Sequence, residues 1–144
     1  LNKLEDLFTS QWGRLMESLV RGDLVPILNN RGIPVNVTTQ RTELYYNKRE
    51  YEFDIIAENG NEIEVVEVKT TLRPKDIKEF LDEMKIFKQI LPKYKDNIVY
   101  GALAYLQEDS NCSTLAEKKG LFTIRAKGKS AWISNQEDFK PKAW

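Results

Sequence analysis

Two runs rich in Val, Ile and aromatic residues, 51–58 and 61–71, flank the dipeptide Asn59-Gly60, and this arrangement constrains the chain more than any other feature. Branched and aromatic side chains suit a pleated, half-buried surface. Asn-Gly between two such runs favours a two-residue type I′ turn, which needs positive φ at both central positions. The spacing predicts an antiparallel hairpin in which Glu58 faces Asn61, Ile56 faces Ile63 and Asp54 faces Val65. Opposed residues share a face, and side chains alternate along each strand. Glu52, Asp54, Val65, Glu67 and Lys69 are therefore expected on one face, with Ile55, Val66 and Val68 on the other. In this register Asp54 and Glu67 are diagonal neighbours, ~7–8 Å apart along the backbone.

The rest of the chain supplies helices to cover such a hairpin. Leu4, Phe8, Trp12, Leu15 and Leu19 recur at helical spacing and predict an amphipathic helix over 3–20. Gly22 reads as a break, and Asp23 as the N-cap of a short helix over 24–30 with Pro26 in its first turn. Residues 35–39 read as a strand, and 41–46 either extend the sheet or form a loop with 47–50. A helix is expected from Pro74 to about Leu91, with Ile77, Phe80, Leu81, Met84, Phe87 and Leu91 as its apolar stripe. Residues 98–106 form a nearly continuous apolar strand, as expected when helices cover both faces. A short helix over 112–119 ends at Gly120, and strands at 121–126 and 131–134 follow, joined by a turn at 127–130. The order implies one α/β (α+β) domain over residues 1–144, a mixed central sheet with an antiparallel meander flanked by helices. The chain begins at Leu1, and residues 1–11 are expected to be the end of a longer upstream helix or coiled coil.

Composition narrows the chemistry. The chain has no histidine and one cysteine, Cys112. This removes Ser-His and Cys-His nucleophilic pairs, an internal disulfide and thiolate or His-ligated zinc. Cys112 itself reads as a structural or helix-start residue. Acid–base and metal chemistry must then use carboxylates, lysines or tyrosines, and hard oxygen ligands suit Mg²⁺, Mn²⁺ or Ca²⁺. No apolar run is long enough to cross a bilayer and no secretory signal is visible, so a cytoplasmic protein is expected. The 22 basic and 22 acidic residues cancel, so a nucleic-acid partner would need the basic ones gathered on one face.

On the hairpin, Asp54 and Glu67 can hold a hard cation, and the Val68 carbonyl can add a third oxygen. Such a cation lowers the pKa of a bound water and stabilises charge on a phosphate. Lys69 can orient the water or offset charge in the transition state. Asp54, followed after twelve residues by Glu67-Val68-Lys69, resembles the PD-(D/E)XK nuclease superfamily. The text around it, Tyr51-Glu52-Phe53-Asp54-Ile55-Ile56-Ala57 and Val65-Val66-Glu67-Val68-Lys69-Thr70, is similar to Holliday-junction-resolvase-like and restriction-endonuclease-like members, nearest to an uncharacterised prokaryotic RecB-like group. The resemblance implies a restriction-endonuclease-like core and a Mg²⁺-dependent endodeoxyribonuclease acting on DNA, with Mn²⁺ able to substitute. It implies metal ligands Asp54 and Glu67, a water-activating Lys69, and a further acid from the first helix, for which Glu17 is the candidate. Glu52 would support these from behind. Phe53 stands where many members carry Pro, and the RecB-type Gln-x-x-x-Tyr is absent because Gln89 and Tyr94 are one residue too far apart.

Two other function classes fit the same residues. One is a catalytically silent module of the same fold, for nucleic-acid binding or assembly. The other is a homodimer joined through Leu4, Phe8, Trp12 and Leu15. Lys75, Lys78, Lys85 and Lys88 alternate with Glu79, Asp82 and Glu83 and read as a solvated helix face. Arg125, Lys127 and Lys129 form a better basic cluster. Trp12 and Trp132 are expected in a core or an interface.

Overall fold

A computed structural model describes residues 3–128 and 130–144, with side chains described from Gln11 onward except Arg21 and Lys129. The expected stripe at Leu4 and Phe8, the upstream helix and Lys129 of the basic cluster lie outside what is described. Among the described residues the elements are α1 (Lys3–Ser18), α2 (Leu24–Asn30), β1 (Val37–Tyr46), β2 (Arg49–Glu58), β3 (Glu62–Leu72), α3 (Pro74–Ile90), β4 (Ile98–Glu108), α4 (Cys112–Lys118), β5 (Phe122–Lys127) and β6 (Ser130–Ile133). The strands form one six-stranded mixed sheet in sequence order. The pairs β1–β2, β2–β3 and β5–β6 are antiparallel. The pairs β3–β4 and β4–β5 are parallel, with α3 and α4 as their crossovers. No described helix is long and apolar enough to cross a membrane.

Each face of the sheet carries its own core. Phe53, Ile56, Val65 and Leu103 pack with Ile77, Phe80, Met84 and Phe87 of α3. Ile55, Val66, Val68 and Ala104 pack on the other face with Leu15 of α1, Leu19 just after it, and Leu24 and Leu28 of α2. Each of these large side chains contributes roughly 1.5–3 kcal/mol on burial. Gly101 lets α3 approach β4: a Cβ there would lie 2.9 Å from Leu121 Cδ2 and 3.0 Å from Phe80 Cε2.

Several expectations are corrected. Gly22 does not break the helix, and Asp23 is no side-chain N-cap: it has helical φ, and Ser18 Oγ donates to its carboxylate at 2.9 Å. A π-helical turn, Leu19–Asp23, carries α1 straight into α2, with the Leu24 N–H reaching back to the Leu19 carbonyl. The physical reason is Pro26, which cannot donate and crowds the carbonyl four residues before it; the wider turn absorbs the misfit. Of the two readings of residues 41–46, the strand holds: β1 runs to Tyr46 and β2 begins at Arg49, so only residues 47–48 remain as loop. Asn47 and Lys48, both with positive φ, make the two-residue turn between β1 and β2.

Asn59-Gly60, by contrast, is not a two-residue turn. The pairing is Glu58 with Ile63, Ala57 with Glu64, Ile56 with Val65 and Ile55 with Val66, two residues away from the expected register. Asn59 Oδ1 accepts from the Asn61 and Glu62 N–H groups, at 2.9 and 2.7 Å. Asn97 Nδ2 donates to the Gly60 carbonyl at 2.8 Å and the Asn61 carbonyl at 3.1 Å, tying a longer loop to the start of β4. A tertiary contact has overridden the local turn preference. Because the slip is two residues, the β3 side chains keep their faces. Of the two places expected for Trp132, the core is ruled out, since it is exposed on β6; Cys112 is buried at the start of α4 as expected.

Candidate active site

The register actually formed brings the two acids closer than the expected one. Continuing one step past Ile55–Val66 places Asp54 across from Glu67 instead of Val65. At that step the ladder stops. The Val68 N–H donates to Asp54 Oδ2 at 2.8 Å, so a side chain takes the place of a β2 backbone carbonyl. Arg41 of β1, opposite Asp54 between the pairs Gln40–Ile55 and Thr42–Phe53, has φ +52°. Non-glycine residues rarely adopt this conformation. Strand alternation also slips here, because Phe53 and Ile56 both join the core under α3 while Ile55 joins the other.

The slip decides which side chains converge. Asp54 is buried and Glu67 largely so, and the two carboxyl groups are hydrogen-bonded. Burial first, then the contact with Asp54, pushes the Glu67 carboxyl up to about 10, although Lys69 pulls it down. The pair therefore holds a proton at neutral pH. Lys69 lies beside Glu67 and is half-exposed; its Nζ is 3.9 Å from Asp76 Oδ1. Asp76 is buried in the first turn of α3, where its Oδ2 accepts the Arg73 N–H at 2.9 Å. Glu83, two turns further along α3, also joins the group. Its carboxyl is raised mainly by burial, lowered by Arg49 and Lys69, and raised again by Glu79 and Asp54.

Of the expected site residues, the structure thus brings together Asp54, Glu67 and Lys69. Glu52 is not with them. It lies on the α1 side of the slip and pairs with Arg41 at 3.5 Å. Glu17 is on an exposed flank of α1, in a separate cavity of about 330 Å³ with Trp12, Gln40 and Arg41. The Val68 carbonyl, expected as a metal ligand, accepts the Trp12 indole N–H at 3.1 Å. A carbonyl oxygen has a second lone pair, so one direction stays open.

Asp76, Glu83 and Arg49 were missed by sequence reasoning. Glu83 was assigned to a solvated helix face, and the structure corrects this. The signal was present: half-buried Glu83 follows at helical spacing from buried Asp76 and Phe80 and precedes buried Phe87. Glu64 was missed too, although it alternates with Val66 and Val68 and must share their core face. It is fully buried, and both carboxylate oxygens are without a hydrogen-bond partner. Arg125 of the expected basic cluster is tied to Glu108 at 3.3 Å.

Two carboxyl groups crowded out of water and holding a proton fit a hard divalent cation, which prefers oxygen donors. Among the described residues no cluster of three or more acidic, His or Cys side chains forms a fuller metal cage. Water and phosphate oxygens would complete the shell, as Mg²⁺ commonly accepts.

No family model matches the chain, and neither does a curated protein. A solved structure titled as a protein of unknown function, AF1548, is similar over 78% of this chain and 58% of its own, with 16% identity and a TM-score of 0.47. The chain thus spans less than two thirds of that structure's length.

Proposed function

We propose that this chain is a nuclease-type domain of the PD-(D/E)XK kind, with a restriction-endonuclease-like core, acting in the cytoplasm as a Mg²⁺-dependent endodeoxyribonuclease. One observation carries the reading: a buried, hydrogen-bonded pair of acids, Asp54 and Glu67, with the Lys69 ammonium beside it where the sheet ladder opens. Asp54 and Glu67 would hold the cation. When bound, it supplies an acidified water and neutralises phosphate charge. The Val68 N–H fixes Asp54, so one carboxylate oxygen is held and the other is left to face the site. Glu67 must release its proton before it can ligate. Lys69 leans toward Asp76, and a phosphate at the pair would compete with Asp76 for the ammonium. Lys69 then orients the water and offsets charge on the phosphoryl oxygens.

Supercoiled DNA and a single-stranded oligonucleotide incubated with Mg²⁺ or Mn²⁺ test the reading. Cleavage is expected, lost in Asp54→Ala and reduced by about 10² or more in Lys69→Ala. A preparation that binds Mn²⁺ by calorimetry yet cuts neither substrate would instead be a silent module. The Asp76 hold on Lys69 and the indole on the Val68 carbonyl are the observations that favour this second reading.

A further inference from the structure

In an extended strand the N–H and C=O of one residue point the same way. The Val68 N–H points at Asp54 of β2, so its carbonyl also points into the gap where the β2–β3 ladder has stopped. The Trp12 indole N–H reaches that carbonyl from α1 at 3.1 Å. Trp12 therefore plugs the opened seam of the sheet from the face opposite α3. On its outer side lies the cavity of about 330 Å³, with Gly13, Glu17, Gln40 and Arg41 around the indole. The Arg41 guanidinium sits 5.6 Å from the ring centroid, on a side chain well exposed to solvent. Its backbone is held at φ +52° in the middle of a strand. Strain of that kind costs of order 1–3 kcal/mol and persists where surrounding structure enforces it, often at functional sites.

A half-buried indole, a guanidinium over it and an amide at the rim suit one flat, polar-edged ring. We propose that this cavity, on the α1 face of the sheet, receives a single unpaired nucleobase stacked on Trp12. The base site stands on its own geometry and is separate from the nuclease reading of Asp54 and Glu67. The preferred ligand is then a single strand, or a junction or flap with an unpaired nucleotide. A base inside a continuous duplex enters less readily, because unstacking it costs a few kcal/mol. Gln40 offers a mixed donor–acceptor to the edge of the base.

Gly13 provides the test, because a Cβ added there meets nothing within 4 Å. Gly13→Leu fills the cavity and should also favour the helix. Binding is measured in EDTA by fluorescence anisotropy, with a labelled 15-nucleotide oligothymidine and a blunt hairpin duplex of matching length. Metal-free conditions separate binding from cleavage. The single strand is expected to bind at least tenfold tighter than the duplex. Gly13→Leu should erase about tenfold of its affinity, the loss expected for one base stack. Arg41→Gly keeps the positive φ and removes the guanidinium, and should weaken the single strand several-fold. Melting curves of both variants confirm that they fold. Equal affinity for the two probes, or a folded Gly13→Leu protein that binds like the parent, overturns the proposal even if DNA is cut. Loss of single-strand binding in the variant without any metal-dependent cleavage keeps the base site and overturns the nuclease reading instead.

Discussion

The Asp54 carboxylate stands in for a backbone carbonyl: its Oδ2 accepts the Val68 N–H at 2.8 Å where the β2–β3 ladder ends. One side chain thus terminates the sheet locally and faces the chemistry. Closing the ladder with backbone alone would leave no seam for Glu67, Lys69 and Trp12 to line.

This double role separates two substitutions. Asp54→Asn can still accept the Val68 N–H, and it takes one acid out of the buried pair. In EDTA the variant should melt a few degrees higher than the parent while losing Mn²⁺ binding. Asp54→Ala leaves a buried donor unpaired, which costs about 1–3 kcal/mol. It should melt lower. Equal melting temperatures for the two would show that the Val68 contact carries no weight.

Cation binding should strengthen with pH. Burial and Asp54 keep the Glu67 carboxyl protonated up to about 10, and a ligating carboxylate must lose that proton. Calorimetric Mn²⁺ titrations at pH 6, 7 and 8 should show Kd falling, by at most about tenfold per unit for one proton displaced. Heats in buffers of different ionisation enthalpy should report a proton released. A flat Kd across this range would mean that Glu67 is already ionised or is no ligand.

Glu64 sets a pH dependence of stability. Its carboxyl is raised well above 4.5 by burial and then by Glu62, and nothing hydrogen-bonds it. Below the unfolded value the group is protonated in both states and carries no pH-dependent penalty. As pH rises above that value the unfolded chain ionises while the folded one stays protonated. Stability then declines, by at most about 1.4 kcal/mol per unit, until the folded group also ionises. Glu64→Leu should add about 1–3 kcal/mol at pH 7 and flatten the decline between pH 5 and 8. Urea unfolding of parent and variant across that range checks both. The opposite slope difference would mean that Glu64 is ionised and paired in solution.

Much of this architecture is legible in the residues themselves. Apolar periodicity gave α3 nearly to its ends, Pro74 and Ile90, and the apolar run at 98–106 gave the covered central strand. Strand alternation alone places Val66 and Val68 on a core face and Glu67 and Lys69 on the other, since a strand's side-chain period is fixed by backbone geometry. What the residues could not decide was register and seam. Asn97, far along the chain, lengthened the Asn59-Gly60 loop and slid β3 by two residues, setting Asp54 against Glu67. The break at Arg41, the indole on Val68 and the burial of Glu83 likewise depend on elements that meet only in three dimensions. Local propensity fixes which face a side chain takes. Which groups share that face, and how dry it becomes, is settled by packing between distant segments.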